Sequence, residues 1–278
     1  MLSHLEKYTV DLVERDGIYF SHHSSPVSYP QSGNEACFQI ENNSFWFKHR
    51  NNCIVEAVKK YAPNSLFFDV GGGNGFVAMG LQDAGIQTVL VEPGIHGCLN
   101  AKKRGLSTVV CSTFENASFK NSSLPAVGLF DVVEHIEQDH DFLKRVHTYL
   151  AVKGFVFITV PAYNSLWSNE DRDAGHFRRY TLSKLEKLVE TSGFSIVYST
   201  YIFSVLPFPI FFSRALPSRL GLNKKSHALD KHIQEHKPKK GAIDSLLNRV
   251  WQKELAKISK EKKIRFGGSC MLVAQKTR

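Results

Sequence analysis

Phe67-Phe68-Asp69-Val70-Gly71-Gly72-Gly73-Asn74-Gly75-Phe76-Val77 is the stretch whose reading decides the fold. The apolar run from Ser65 to Val70, dominated by aromatic and branched residues, reads as a buried strand. It breaks into glycines, and from Phe76 a helical period begins, with Val77, Leu81 and Ala84 on one face. Strand, glycine turn and helix in that order open a doubly wound α/β unit, whose ligand sits beyond the carboxyl ends of the strands. Glycines at such a turn let the backbone approach a ligand closely, while free amides point out of the helix N-terminus.

Two acids narrow the reading. Asp69 precedes the glycines, giving Asp-x-Gly-x-Gly-x-Gly, and Glu92 follows the next strand, 88–91, 17 residues past Gly75. That is close to where a carboxylate meets ribose hydroxyls in such folds. The dinucleotide pattern Gly-x-Gly-x-x-Gly, counted from Gly71 and Gly73, needs a glycine where Phe76 stands, so it fails. On these residues the chain resembles the class I S-adenosylmethionine-dependent methyltransferases. The resemblance implies a Rossmann-like, doubly wound α/β sheet of seven strands with an antiparallel last strand, placed at 269–275. It further implies that Asp69, Gly71, Gly73 and Gly75 wrap the methionine part of the cofactor, and that Glu92 and Pro93 meet its ribose.

Other segments extend the resemblance. Thr113 and Phe114, after a third strand at 107–111, occupy the positions where the family keeps an acid and a small residue beside the adenine. The fourth strand, 126–130, runs into Asp131-Val132-Val133-Glu134-His135, a match to the family's Asp-x-x-Glu-His. This implies Asp131 and Val132 over the methionine portion and Glu134 toward the acceptor. Upstream, Phe45-Trp46-Phe47 leads into a helix carrying Arg50. In the family an aromatic entry of this kind covers the cofactor, which implicates Trp46; packing of the helix onto the sheet is the other reading. Glu134, His135, Asp139, His140 and Asp141 are metal-ligand residue types, but Asp139 to Asp141 begin a helix, where acids favour the dipole and cap free amides. No metal is expected.

After a fifth strand, 155–160, residues 161–181 show no apolar periodicity, and such a segment inside a compact domain is usually functional. It resembles the Pro-Ala…Leu-Trp-Ser…Asp…Gly-His-x-Arg-Arg-Tyr loop of bacterial type 11/12-like methyltransferases, met near genes for surface glycans or lipids. The resemblance places Trp167, Arg178, Arg179 and Tyr180 on the acceptor side. His176 and His135 are the candidate bases, because imidazole titrates near neutrality. Thr181 is a good N-cap for the helix that follows.

Composition bounds the rest. A chain of 278 residues, 42% hydrophobic, can hold one large α/β domain with additions. Three parts are expected: 1–60 as an N-terminal extension with the cofactor-covering helix, 61–201 with 266–278 as the core, and 202–265 as an apolar and basic helical insertion. The net charge of +9 is concentrated in 223–265, with thirteen Lys or Arg against five Asp or Glu. That argues for a local anionic partner and against a nucleic-acid surface. The insertion reads either as a lid or as a membrane-surface element, since its longest apolar run, 202–212, is too short to span and carries Pro207 and Pro209. Five scattered cysteines and no secretory pattern point to the reduced cytoplasm, with peripheral contact at the inner face of the membrane. The expected activity is S-adenosylmethionine-dependent methyl transfer, O-methylation favoured, to a small-molecule, glycan or lipid-linked acceptor. A cofactor-binding regulator without turnover and a dinucleotide-dependent oxidoreductase are the rival readings.

Overall fold

Asp16-Gly17, an Asp-Gly pair between two short runs, closes a two-residue β-hairpin in which both residues take positive φ (53° and 74°). Its arms, β1 (Leu12–Arg15) and β2 (Ile18–Ser21), begin the computed structural model, which describes residues 5–22, 37–38, 40–222 and 242–278. The long helix α1 (Phe45–Tyr61) follows, with Ser44 accepting the Trp46 amide as N-cap and Pro63 just past its end. Next comes β3 (Phe67–Val70), whose four residues are all buried because both faces of the sheet are covered. The chain then alternates through α2 (Phe76–Asp83), β4 (Thr88–Glu92), α3 (Ile95–Lys103), β5 (Thr108–Cys111), β6 (Leu124–Phe130), α4 (Asp139–Tyr149) and β7 (Leu150–Pro161).

The connection to the last strands carries α5 (Asn169–Asp173) and α6 (Leu182–Thr191), the latter N-capped by Thr181 as expected. After β8 (Phe194–Ile202) come α7 (Pro207–Ile210), a π-helical turn (Phe211–Ala215), α8 (Leu216–Arg219) and α9 (Ala242–Ser259), and β9 (Ser269–Lys276) ends the fold. The sheet order is β1-β2-β5-β4-β3-β6-β7-β9-β8, with β9 antiparallel to both neighbours. The seven expected strands are present. The N-terminal hairpin adds two more, β2 running parallel to β5 at the edge.

Successive strands leave β3 in opposite directions, since it pairs with β4 on one side and β6 on the other. The crevice at that reversal is where ligands bind in open α/β sheets. One face of the sheet is packed by α4 and α6 through Phe142, Leu143, Leu185 and Val189. The other is packed by α1, α2 and α9 through Cys53, Ile54, Val77, Leu81, Trp251 and Ile258. Trp251 stacks on Phe45 and His49, and Glu254 accepts hydrogen bonds from His49 (2.9 Å) and from the amides of Phe203 (2.9 Å) and Ser204 (2.7 Å). The apolar side of α9 is therefore spent largely on the domain rather than presented outward, though Leu246 stays exposed. No helix among the described residues is long and apolar enough to cross a membrane.

Candidate active site

The strand–turn–helix stretch forms one wall of a cavity of ≈ 590 Å³ at the reversal point. Gly71 and Gly73 take positive φ (67° and 55°), which an L side chain adopts only with strain. A Cβ at Gly72 would collide with the Asp69 carboxylate and with Leu90, so this turn closes only over glycine. Glu92 fixes its shape: one carboxylate oxygen accepts the Gly73 amide (2.9 Å), the other the Gly94 amide (2.8 Å). Burial raises the Glu92 pKa, and those two amides oppose the rise. Asp69 is fully buried and makes no side-chain hydrogen bond. Burial pushes its pKa up to about 7, against the pull of the Arg50 charge.

Helix α1 supplies the cover. Arg50 pairs with Asp131 and lies over the Trp46 ring, 4.9 Å from its centroid. Asp131 itself sits at positive φ (57°) and accepts the Thr159 hydroxyl (3.2 Å), a strained backbone position of the kind found at functional sites. Trp46 also stacks on Phe203. Trp46 thus packs the helix and also lines the cavity.

The opposite wall joins two segments distant in sequence. The 3₁₀ turn Val133–His135 follows β6, and the Phe177 amide donates to the Glu134 carbonyl (2.8 Å), stapling the 162–181 loop to it. Within the loop, Ser168 and Asp171 form a capping box on α5. That locks Asp171, 1% exposed, where His176 Nδ1 donates to it at 2.8 Å and Arg179 reaches it with Nε (2.7 Å) and Nη2 (3.0 Å). Burial alone would raise the Asp171 pKa, but the hydrogen bonds from His176 and Arg179 carry it down to about 2. The His135 ring lies edge-on to His176, centroids 4.6 Å apart. Burial and the neighbouring His176 lower the His135 pKa to about 4, which makes it a poor base at neutral pH. Glu134 is fully buried with neither side-chain oxygen hydrogen-bonded, and burial lifts it to about 8.

Of the residues expected at the site, Asp69, Gly71, Gly73, Glu92, Pro93, Asp131, Val132, Trp46, Glu134, His135, His176 and Arg179 line this cavity. Six others do not, and five of them are held elsewhere by contacts of their own. Gly75 ends the turn against Leu106 and Ala101, serving helix packing. The Phe114 ring is buried among Phe119, Phe142 and Tyr149, and the Thr113 hydroxyl accepts the Asn116 amide. Arg178 binds Asp139 (2.7 Å), and the Tyr180 hydroxyl donates to the same carboxylate (2.8 Å). Trp167 also lies off the cavity lining. Asp139 is thus a docking point for the loop as well as a first-turn acid of α4.

Unexpected lining residues include Asp171, Glu41, Asn74 and the α7 segment with Leu206, Pro209 and Ile210. Asp171 had one readable signal, the Ser-x-x-Asp capping spacing after Trp167; Glu41 had none. The first part of the insertion thereby roofs the cavity, while the basic stretch 223–241 lies outside the described residues.

A family model described as a methyltransferase domain matches residues 49–199, more than half of the chain. The chain belongs to that family. Similar solved structures include phosphoethanolamine N-methyltransferase 2 of Haemonchus contortus in complex with S-adenosyl-L-methionine (TM-score 0.54, 19% identity). That alignment covers 91% of this chain and 58% of the worm enzyme, so the chain spans little more than half of its length. A putative methyltransferase complexed with the Haloferax volcanii Trm112 activator has TM-score 0.58 at 11% identity, covering 89% of this chain and 95% of that one. An Archaeoglobus fulgidus S-adenosylmethionine-dependent methyltransferase has TM-score 0.51 at 17% identity, covering 84% and 100%. These identities establish a shared fold. No curated protein matches the sequence significantly. The methyltransferase domain thus has its glycine wall and its Asp171–His176 wall in one cavity.

Proposed function

We propose that this methyltransferase moves the methyl group of S-adenosylmethionine onto a hydroxyl of a small-molecule, glycan or lipid-linked acceptor. The observation that carries the reading is the shared cavity, with Asp69 and Glu92 on one wall and the Asp171–His176 pair on the other. The residues suit the cofactor: Asp69 is a buried carboxylate with no side-chain partner, fit for a cationic group, and Glu92 stands at a strand end where ribose hydroxyls are met. The sulfonium supplies the methyl group and the leaving group.

The chain's own task is alignment and exclusion of water. Trp46, Phe76, Leu206 and Ile210 wall the cavity with apolar surface. His176, oriented by Asp171, engages the acceptor, and Arg179 keeps Asp171 in place. Phe208, Phe212, Leu220 and Leu222 are exposed on the outside of the roof, where they support contact with the inner face of a membrane. Incubation with methyl-labelled S-adenosylmethionine and fractionated lipid, glycan and small-molecule extracts tests the reading. Label recovered in an O-methyl product supports it, and tight cofactor binding with no label transferred to any fraction favours a regulator instead.

A further inference from the structure

We propose that Glu134, His135 and His176 bind one divalent transition-metal cation, whose remaining coordination position takes the acceptor hydroxyl. This deepens the methyl-transfer reading and rests on it. One ligand atom from each residue lies within 4.8 Å of the other two. Ligands of a tetrahedral cation at about 2.1 Å each stand about 3.4 Å apart, so the three side chains draw in by up to about 1.4 Å to close on one ion. Two imidazoles with one carboxylate suit zinc, manganese, iron or cobalt in the divalent state.

Glu134 points to the same conclusion independently. It is fully buried against the cavity with neither oxygen hydrogen-bonded, and an uncompensated buried carboxylate is costly. The two arginines whose charge reaches it are already matched, Arg50 by Asp131 and Arg179 by Asp171. A bound cation would supply the missing partner. His176 has the support that metal-binding histidines require: its Nδ1–H donates to Asp171, which leaves Nε2 as the ligating atom. The Phe177–Glu134 backbone bond holds the two contributing segments together before any cation arrives.

A cation here lowers the pKa of the acceptor hydroxyl, as a Lewis acid does for bound water. The hydroxyl proton passes to solvent. An oxygen lone pair then attacks the methyl carbon as the S–CH₃ bond breaks, and the sulfur keeps that electron pair to become a neutral thioether. The substrate class is an alcohol or phenol.

The test uses the full-length chain, stripped with chelator and titrated with Co²⁺. The expected result is one equivalent bound with visible d–d absorption, displaced by Zn²⁺, and a rise in melting temperature. Glu134→Gln and His176→Gln should each weaken Co²⁺ binding more than about tenfold, and Asp171→Asn by about 10–100-fold. His140→Gln, outside the cluster, should leave it unchanged. X-ray absorption of the wild-type Co²⁺ protein should report two imidazole ligands, a readout that does not depend on the variants folding. Failure to bind Co²⁺, Mn²⁺ or Zn²⁺, an all-oxygen shell, or binding indifferent to Glu134→Gln and His176→Gln overturns the proposal. Stripped protein should still bind S-adenosylmethionine; loss of the metal result with that binding intact rejects the cation while leaving methyl transfer standing.

Discussion

His176 Nδ1 lies 2.8 Å from Asp171 Oδ1, and the same carboxylate holds Arg179 through a fork at 2.7 and 3.0 Å. One buried acid therefore orients the candidate acceptor-side imidazole and is itself held by a cation. His176→Ala should cut methyl transfer by about 10²–10⁴-fold while changing S-adenosylmethionine affinity by no more than a few-fold. Asp171→Asn should reproduce part of the loss. Single-turnover rates beside calorimetric cofactor titration check this, and near-normal turnover in His176→Ala would make the loop structural only.

Glu92 binds two loop amides, so its loss has two consequences. Glu92→Ala should weaken cofactor binding by roughly 1.5–3 kcal/mol and lower the melting temperature of the cofactor-free protein, since the Gly73 and Gly94 amides lose a charged acceptor. Unchanged affinity in a folded variant would remove Glu92 from the cofactor site.

Asp69 gives a pH signature. Its folded pKa, about 7, lies above the ordinary 3.8, so between those values the folded state holds a proton that the unfolded chain has released. Its contribution to stability is greatest below pH 4 and is lost as pH rises through 7, by about 4 kcal/mol in all. Asp69→Asn should therefore gain stability relative to wild type between pH 4 and 7 in denaturant titrations. A cationic cofactor favours the ionised form, so binding near pH 6.5 should release protons, seen as a buffer-dependent calorimetric enthalpy.

Glu254 ties α9 to α1 and to the end of β8 through His49 and the Phe203 and Ser204 amides. Its pKa is lowered: burial raises it, but the His49 and Ser204 hydrogen bonds outweigh that. Its stabilising effect is thus complete above the ordinary carboxylate value and lost as pH falls below it. Glu254→Ala strips a buried acceptor from several donors and should cost about 3–5 kcal/mol in chemical unfolding at pH 7. A cost under about 1 kcal/mol would mean α9 is not anchored there.

Phe208 and Phe212 are 63% and 64% exposed on the cavity roof. The protein should sediment with anionic vesicles at low salt, release at high salt and ignore neutral vesicles, each engaged Lys or Arg being worth about 1 kcal/mol. Phe208→Ser with Phe212→Ser should weaken the association through lost apolar burial. Lys-to-Glu changes at Lys237, Lys239 and Lys240, outside the described residues, test the electrostatic part. Wild-type protein that ignores anionic vesicles would leave the roof as a substrate lid.

The sequence by itself determined the sheet and the glycine wall. Their signals are local: buried runs, a glycine turn at fixed offsets from Asp69, and Glu92 at the next strand end all lie on contiguous chain. The β1–β2 hairpin was not among the expected strands, although Asp16-Gly17 carries the turn chemistry of a two-residue connection. The sequence also named Glu134, His135, His176 and Arg179 on the opposite wall, but only the tertiary structure decided how that wall is assembled. Three acids, Glu170, Asp171 and Asp173, share one short segment, and the Ser168 capping box selects Asp171 to face Arg179 and His176. His135 and His176 meet because a backbone bond joins loops that follow different strands, and no local period encodes such a meeting. Phe114 and Tyr180 occupy motif positions, yet core packing and Asp139 hold them off the cavity. Side-chain direction in an irregular loop depends on partners distant in sequence, which is why the geometry of that half of the site becomes visible only in the folded chain.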